Sequence, residues 1–310
     1  MGAGHQVTLV VSQPDRRRGR GSALAPTPVK AAALELGLAV SDRVDDVLSA
    51  GAELGVVVAF GRLIKPHVLD VVPMVNLHFS LLPRWRGAAP VERAILAGDS
   101  ETGVCLMALE AGLDTGPVYR TGRLVIGAEE TADELRERLV TVGTEMLVGA
   151  LADGPAGLGE AVPQSGEVTY AAKINPVELE LDWSRPASDL ARMVRLGGAW
   201  TTWRGRRLRV RRARLSSADV LAGAPSDAAA SPLRPPAAAP HGRPDGPSPD
   251  AGRSAPGILY GLVVATGDGG LELVEVQPEG RGALPGEAWR RGARPEPGER
   301  LGRTSGAGGS

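Results

Sequence analysis

The sequence predicts an α/β fold, with a doubly wound domain followed by a smaller domain of short strands. Apolar strand segments alternate with helical segments up to about residue 154, which is typical of a doubly wound sheet. Further along, the apolar segments are short, and residues 257–273 read as a hairpin with a glycine-rich turn. Before that hairpin, residues 216–255 are so rich in Pro, Ala, Gly, Ser and Asp that they predict a disordered insertion.

Composition excludes several classes of protein. A chain of 310 residues can hold two domains and bury a core, and its net charge of −1 indicates no nucleic-acid partner by itself. The single cysteine, Cys105, excludes a disulfide framework, and four histidines without a close-set pair predict that there is no metal site. No apolar run has the length of a membrane span and no secretory segment begins the chain, so we expect a cytoplasmic protein without membrane contact.

The first elements are a strand, a basic loop and a capped helix. Residues 6–11 form an apolar strand, and the loop that follows carries Arg16, Arg17, Arg18 and Arg20 among glycines. Such a loop attracts phosphate, although basic glycine-rich loops are as often simply solvated. Thr27 and Pro28 then begin a helix, as N-cap and first helical residue. Residues 55–61 are apolar on both faces, which predicts a central parallel strand.

The chain is organised around residues 75–90. Alternating apolar residues predict a short strand there, which places Asn76 and His78 together on its other face. A loop with Pro83 and Gly87 follows the strand, and a helix begins at Pro90. An imidazole can transfer protons near neutral pH and an amide can donate to a developing oxyanion. The pair is therefore either catalytic or a satisfied structural pair.

Asp114 is the predicted partner of His78. It lies in a glycine-bounded turn, residues 110–116, after a buried strand at residues 103–109. If the two strands are parallel neighbours, both side chains lie at the same edge of the sheet, where Asp114 would orient the imidazole. An aspartate between glycines is otherwise an ordinary turn residue.

The remaining elements are a core helix and an arginine-rich strand. Thr131 and Glu134 form a capping box for a helix whose apolar stripe must pack on the sheet. A linker at residues 173–186 leads to a helix from residue 187, and then to a strand at residues 204–214. This strand alternates apolar residues with arginines, which favours either a solvated face or a nucleic-acid surface.

Three motifs resemble those of a known family. Residues 76–83 read Asn-Leu-His-Phe-Ser-Leu-Leu-Pro, residues 112–116 read Gly-Leu-Asp-Thr-Gly, and residues 13–21 contain Gln-Pro-Asp-Arg and Gly-Arg-Gly. This pattern is similar to that of the methionyl-tRNA formyltransferases, a group of the folate-dependent formyl transferases. The resemblance implies a Rossmann-like formyltransferase domain at residues 1–172, the linker, and an OB-like, tRNA-binding β-barrel at residues 187–303.

The resemblance also implies an activity. Members of this family transfer the formyl group of 10-formyltetrahydrofolate to the amino group of methionyl-initiator-tRNA, for translation initiation, and need no metal. The residues that match their catalytic motif are Asn76, His78 and Asp114. The expected folate-lining residues are Ser80, Leu81, Leu82 and Pro83. The expected tRNA-binding residues are Arg16, Arg18, Arg20, Arg206 and Arg209, and the protein is expected to be a monomer.

The sequence departs from the family in two places. The family begins with a further strand, a Gly-Thr-Pro turn and a helix, and residues 196–203 lack its Asn-Pro-Trp-Pro-like stretch. We therefore expect a chain that is truncated at its N-terminus, whose sheet exposes backbone groups and an apolar face. The alternatives are a formyl-folate enzyme with a small-molecule acceptor or water, and a truncated, inactive tRNA-binding protein. A dinucleotide-binding dehydrogenase is excluded because no G-x-G-x-x-G follows a strand.

Overall fold

The computed structural model describes residues 3–17, 24–216 and 255–302, which form two compact units, Met1–Ile174 and Asn175–Ser310. The boundary between the units falls within residues 173–186, the segment expected to be a linker. The predicted disordered insertion lies outside the described residues apart from its two end residues, and so do Arg18 and Arg20.

The first unit contains ten strands and four α-helices among its described residues. The strands are β1 (Val10–Val11), β2 (Arg16–Arg17), β3 (Leu24–Ala25), β4 (Val40–Ser41), β5 (Gly55–Val58), β6 (Met74–His78), β7 (Arg86–Gly87), β8 (Glu101–Ala108), β9 (Val118–Val125) and β10 (Tyr170–Ala171). The helices are α1 (Pro28–Glu35), α2 (Pro66–Leu69), α3 (Pro90–Ala97) and α4 (Ala132–Ala150), with 3₁₀ turns at Val44–Ser49 and Gly154–Leu158.

The central sheet of this unit is mixed in direction. Its strand order is β5-β6-β8-β9, in which β5 and β6 are parallel while β8 is antiparallel to both β6 and β9. The prediction that the strands before and after α3 are parallel neighbours was therefore wrong. The sequence pattern identifies both as buried strands, but burial on two faces does not determine strand direction.

Strand β5 lies at the edge of this sheet, so the prediction of a central strand was also wrong. Val56 and Val58 are each 45% exposed, although both are apolar. Strands β1 and β4 pair with each other in a separate parallel sheet, and no described strand pairs with the free side of β5. Among the described residues, β5 is therefore an edge strand with a partly exposed apolar face.

Helix α4 covers one face of the sheet, where it packs against β8 and β9. It begins with the predicted capping box, in which Thr131 and Glu134 each accept a hydrogen bond from the other's backbone N–H. Leu135 and Leu139 are fully buried, which confirms the inner half of the predicted stripe. This packing makes the sheet a firm support for side chains on β6.

The second unit is rich in strands. It contains α5 (Ala187–Arg195), β11 (Trp200–Trp203), β12 (Arg206–Ser216), β13 (Leu259–Tyr260), β14 (Val263–Ala265), β15 (Gly270–Pro278), β16 (Leu284–Pro285) and α6 (Gly286–Ala293), after a 3₁₀ turn at Pro176–Leu179. All pairings of its six-stranded sheet are antiparallel, with strand order β11-β12-β15-β14-β13 and β16 beside β15. Its core includes Leu190, Leu208 and Leu271.

The predicted hairpin is confirmed as two successive antiparallel pairings, β13 with β14 and β14 with β15.

None of the helices in the described part of the chain is both long and apolar enough to span a membrane.

Candidate active site

Strand β6 carries Asn76 and His78 on one face, as the two-residue period of a strand requires. Both side chains are buried, at 9% and 5% exposure. The strand pairs with β5 on one side and with β8 on the other, where His78 lies opposite Cys105. Both functional groups are therefore fixed to the middle of the sheet rather than to a loop.

The imidazole of His78 lies between two acceptors. Its Nε2 is 2.8 Å from the backbone oxygen of Trp85, and because a carbonyl can only accept, Nε2 carries the proton. Its Nδ1 is 3.5 Å from Oδ2 of Asp114. Both ring nitrogens thus face an acceptor, and the doubly protonated ring is the form that can donate to both.

Asp114 reaches His78 by a route that the sequence did not predict. Since β6 and β8 are antiparallel, the turn after β8 must fold back, and it does so with a hydrogen bond of 2.9 Å from the Ala108 N–H to the Pro117 oxygen. Asp114 adopts a left-handed backbone conformation, with φ of 50°. Its Oδ2 also accepts the Gly87 N–H at 2.7 Å, so the carboxylate joins the loop after β6 to the imidazole.

The turn can take this path because of a glycine. A Cβ atom on Gly116 would lie 1.9 Å from the backbone oxygen of Ala108, a distance at which the backbone itself would have to move. Glycine is therefore required where the turn rejoins the sheet. This steric requirement explains Gly116, the second glycine of the Gly-Leu-Asp-Thr-Gly motif.

Gln164 is a residue of the site that sequence reasoning missed. Its Nε2 donates to the backbone oxygens of Asp114 and Gly116, each at 2.8 Å, and its Oε1 accepts from Nη2 of Arg86 at 2.6 Å. One amide thus ties the turn that carries Asp114 to strand β7. Gln164 lies in a segment without apolar periodicity, so no sequence signal marks it.

The loop after β6 is held by its own hydrogen bonds. Ser80 is fully buried, and its hydroxyl donates to the Arg84 oxygen at 2.6 Å. Leu81 and Leu82 are half-buried, and Pro83 is buried after a cis peptide bond. Of the four predicted folate-lining residues, Ser80 therefore shapes the loop, while the two leucines keep part of their apolar surface exposed.

Elsewhere on the first unit there is a cavity of about 190 Å³, lined in part by Arg43, Arg62 and Lys65. None of the predicted site residues lines it. Among the described residues, no group of three or more His, Cys, Asp or Glu side chains could hold a metal ion.

Two family models match the chain. A model described as formyl transferase matches residues 2–151, and one described as formyl transferase, C-terminal domain, matches residues 173–294. The chain therefore belongs to the formyl transferase family.

Within that family, the chain is similar to proteins named methionyl-tRNA formyltransferase. The one from Jannaschia sp. (strain CCS1) is 39% identical over 311 residues, which cover 96% of this chain and 92% of the relative. The one from Dinoroseobacter shibae is 41% identical over 295 residues, covering 91% and 87%. The one from Symbiobacterium thermophilum is 38% identical over 320 residues, covering 96% and 89%.

Solved structures share the fold at low identity. HypX from Aquifex aeolicus, in complex with tetrahydrofolic acid, has a TM-score of 0.55 and 19% identity, over 83% of this chain and 43% of that one. The sugar 3N-formyl transferase WlaRD has a TM-score of 0.53 and 15% identity, over 81% of each chain.

We predict that Cys105, the cross-strand neighbour of His78, reacts slowly in the native protein. The thiol is 1% exposed, and burial raises its pKa above the usual range. Because only the thiolate reacts, native protein at pH 8 should be alkylated at least ~10-fold more slowly than unfolded protein. The chain has one cysteine, so labelling followed by mass spectrometry measures this site alone. Equal rates in native and unfolded protein would contradict the buried pairing of β6 with β8.

Proposed function

We infer that this protein transfers a formyl group to the amino group of methionyl-initiator-tRNA, for translation initiation. The observation that carries this inference is identity of about 40% to methionyl-tRNA formyltransferases across nearly the whole chain, including both domains. The site is compatible with this chemistry, since Asn76, His78 and Asp114 lie together on a buried sheet face and its loop. We propose 10-formyltetrahydrofolate as the formyl donor.

The residues of the site fit a formyl group. Within residues 3–17, 24–216 and 255–302, the Asn76 side chain makes no hydrogen bond, although it is 9% exposed. The Asn76 amide atoms are not among the fully buried side-chain atoms without a partner, so the amide keeps some contact with solvent and is accessible to a ligand oxygen. We therefore propose that Asn76 donates to the formyl oxygen.

The reaction forms a bond between the amino nitrogen of the acceptor and the formyl carbon, and breaks the bond from that carbon to the folate nitrogen. Negative charge develops on the formyl oxygen, where Asn76 and protonated His78 donate hydrogen bonds. His78 can do so when its Nε2 proton is shared between the Trp85 oxygen and the formyl oxygen, so that the Trp85 carbonyl still holds the ring. The attacking amine must lose a proton, and we propose that Asp114 orients the imidazole and accepts this proton through water. The folate nitrogen takes up a proton from water as its bond to the formyl carbon breaks.

For the folate, we propose that Ser80, Leu81, Leu82 and Pro83 line the site. The two leucines offer apolar surface that suits a flat pteridine ring. Ser80 supports the loop through its bond to the Arg84 oxygen.

For the tRNA, we propose contacts from both units. In the first unit these are Arg16, exposed on β2, with Arg18 and Arg20 beside it in sequence. In the second unit they are Arg206 and Arg209 on β12. Arg206 has a carboxylate of Glu279 at 3.9 Å, whereas Arg209 forms no ion pair with any described residue.

The structure of β12 extends this surface. Leu208 and Val210 are buried, so Arg207 and Arg209 share the opposite, exposed face, and Arg211 is exposed at the β-bulge that follows Val210. We call these three residues the arginine face. The Arg207 guanidinium lies 4.0 Å from the centre of the Trp200 ring, and none of the three forms an ion pair within the described part of the chain. Such unneutralised guanidinium groups favour phosphate contacts.

Several finer assignments remain part of this proposal. We propose that the first unit is Rossmann-like, that the second closes as an OB-like barrel, and that the protein acts as a monomer in the cytoplasm. Strand β5 is an exposed edge at which a second copy of the chain would pair, so a test of the monomeric state must examine this strand.

We predict that the protein formylates charged initiator tRNA in a single-turnover assay with 10-formyltetrahydrofolate. Asn76→Ala and His78→Ala should each lower the rate ~100- to 1000-fold, because each removes a donor to the developing oxyanion. Asp45→Asn is the control, since Asp45 forms an exposed ion pair with His67 and should leave the rate unchanged. Absence of transfer to tRNA, with formylation of a small amine or hydrolysis instead, would contradict the proposed acceptor.

We predict that replacing the arginine face weakens tRNA binding without changing the chemical step. Each of Arg207→Ala, Arg209→Ala and Arg211→Ala should raise the Kd for tRNA and reduce the slope of log K against log salt by ~0.7–0.9. Arg290→Ala is the control, because Arg290 is exposed but paired with Glu287 at 3.1 Å. Unchanged salt slopes in all three variants would show that this face does not contact the tRNA.

A further inference from the structure

A charged cluster outside the predicted site includes the side chain of Trp85, whose carbonyl accepts from His78. The carboxylate of Asp99 accepts two hydrogen bonds from Arg84, at 2.9 Å from Nε and 2.6 Å from Nη2. It also accepts the indole N–H of Trp85 at 2.7 Å. Asp99 follows α3, two residues after the helix ends, and its side chain is 17% exposed.

The three side chains form one unit. The Arg84 guanidinium stacks over the Trp85 ring, 4.5 Å from its centre, while its fork binds the carboxylate that also holds the indole. The hydrogen bonds that Arg84 donates to the Asp99 carboxylate raise the pKa of Arg84, so the guanidinium remains a charged partner. We call Arg84, Trp85 and Asp99 the clamp.

The clamp acts at the residue that holds His78. Trp85 has a left-handed backbone, with φ of 62°, which costs energy for a residue with a bulky side chain. Its carbonyl is the 2.8 Å acceptor of His78 Nε2. The position of this oxygen depends on the backbone at Trp85. The Asp99 carboxylate holds the side chains of Trp85 and Arg84 by hydrogen bonds.

A second hold on Trp85 comes from its backbone N–H, which donates to the Thr169 hydroxyl at 2.9 Å. This bond restrains the peptide that precedes Trp85. The peptide that carries the Trp85 oxygen is held on its other side, where the Arg86 N–H donates to the Thr169 oxygen at 2.9 Å, and the Ser80 hydroxyl lies 3.5 Å from the Trp85 oxygen. These contacts restrain the backbone on both sides of Trp85, whereas Asp99 restrains its indole and the Arg84 side chain.

We propose that Asp99 is a positioning residue for formyl transfer, which acts through Trp85 to hold the His78 imidazole in its reactive orientation. This inference rests on the proposed function for its catalytic consequence, but its structural part concerns the ring of His78 alone. Asp99 itself touches no reacting atom.

The test compares Asp99→Asn and Trp85→Phe with the Asp45→Asn control. Asparagine keeps the shape of the side chain but loses the charge that binds Arg84, and phenylalanine removes the indole N–H with its five-membered ring while keeping an aromatic face for Arg84. We expect each variant to lower kcat ~10-fold or more, with KM for tRNA within twofold of wild type, because the misplaced group acts on the chemical step. The double variant should be no slower than Asp99→Asn, since both changes break one connection.

A second measurement separates this inference from the proposed function. The ring nitrogens of His78 are observed by ¹⁵N NMR of the substrate-free protein, with the His78→Ala spectrum as assignment. In wild type, Nε2 should be protonated and hydrogen-bonded, and its signal should shift or broaden in Asp99→Asn and Trp85→Phe but not in Asp45→Asn. This result does not require the enzyme to be active.

Two outcomes would overturn the inference. One is an Asp99→Asn variant with wild-type kcat and unchanged His78 signals. The other is a slower Asp99→Asn variant whose His78 signals match wild type, because Asp99 would then act by another route. If Asp99→Asn fails to fold, Trp85→Phe carries the same test alone, since it retains the ion pair of Arg84 with Asp99. Absence of formyl transfer by wild type would contradict the proposed function and leave the NMR arm decisive for the clamp.

Discussion

The site depends on one arrangement, the imidazole of His78 between the Trp85 oxygen and the Asp114 carboxylate. A buried imidazole and a nearly buried carboxylate both require partners, and each finds the other here. The backbone supplies these partners at two residues, Asp114 and Trp85, which both adopt left-handed conformations. The Asp114 carboxylate also accepts a hydrogen bond from the Gly87 N–H. Strain and hydrogen bonding are thus concentrated in the two loops that meet at His78.

The supports of this arrangement come from distant parts of the sequence. Gln164 ties the turn of Asp114 to β7, and Asp99 ties the loop of Trp85 to the segment after α3. The amide of Asn76, in contrast, lacks a hydrogen bond within the described residues. The site therefore combines a firmly held imidazole with an amide that is available to a ligand, which is the combination that oxyanion stabilisation requires.

The positions of Asn76 and His78 in the fold were more predictable from the sequence than the contacts that they make. The alternation around Leu77 was enough to place Asn76 and His78 on one face, and Thr131 with Glu134 was enough to predict the start of α4. The direction of β8 was not predictable, because a buried apolar strand reads the same in parallel and antiparallel sheets. The roles of Gln164 and Asp99 could not be predicted either, since polar side chains that bond across 14 to 78 positions leave no periodic pattern.

The most direct test of the account is a double-mutant cycle on His78 and Asp114, with the single-turnover formylation rate as the measurement. Because Asp114 acts in part through the imidazole, Asp114→Ala should lower the rate at least ~10-fold less in the His78→Ala background than in the wild-type background. Losses that add fully in the double variant would show that the two residues act independently. That result would contradict the central role of the His78–Asp114 contact.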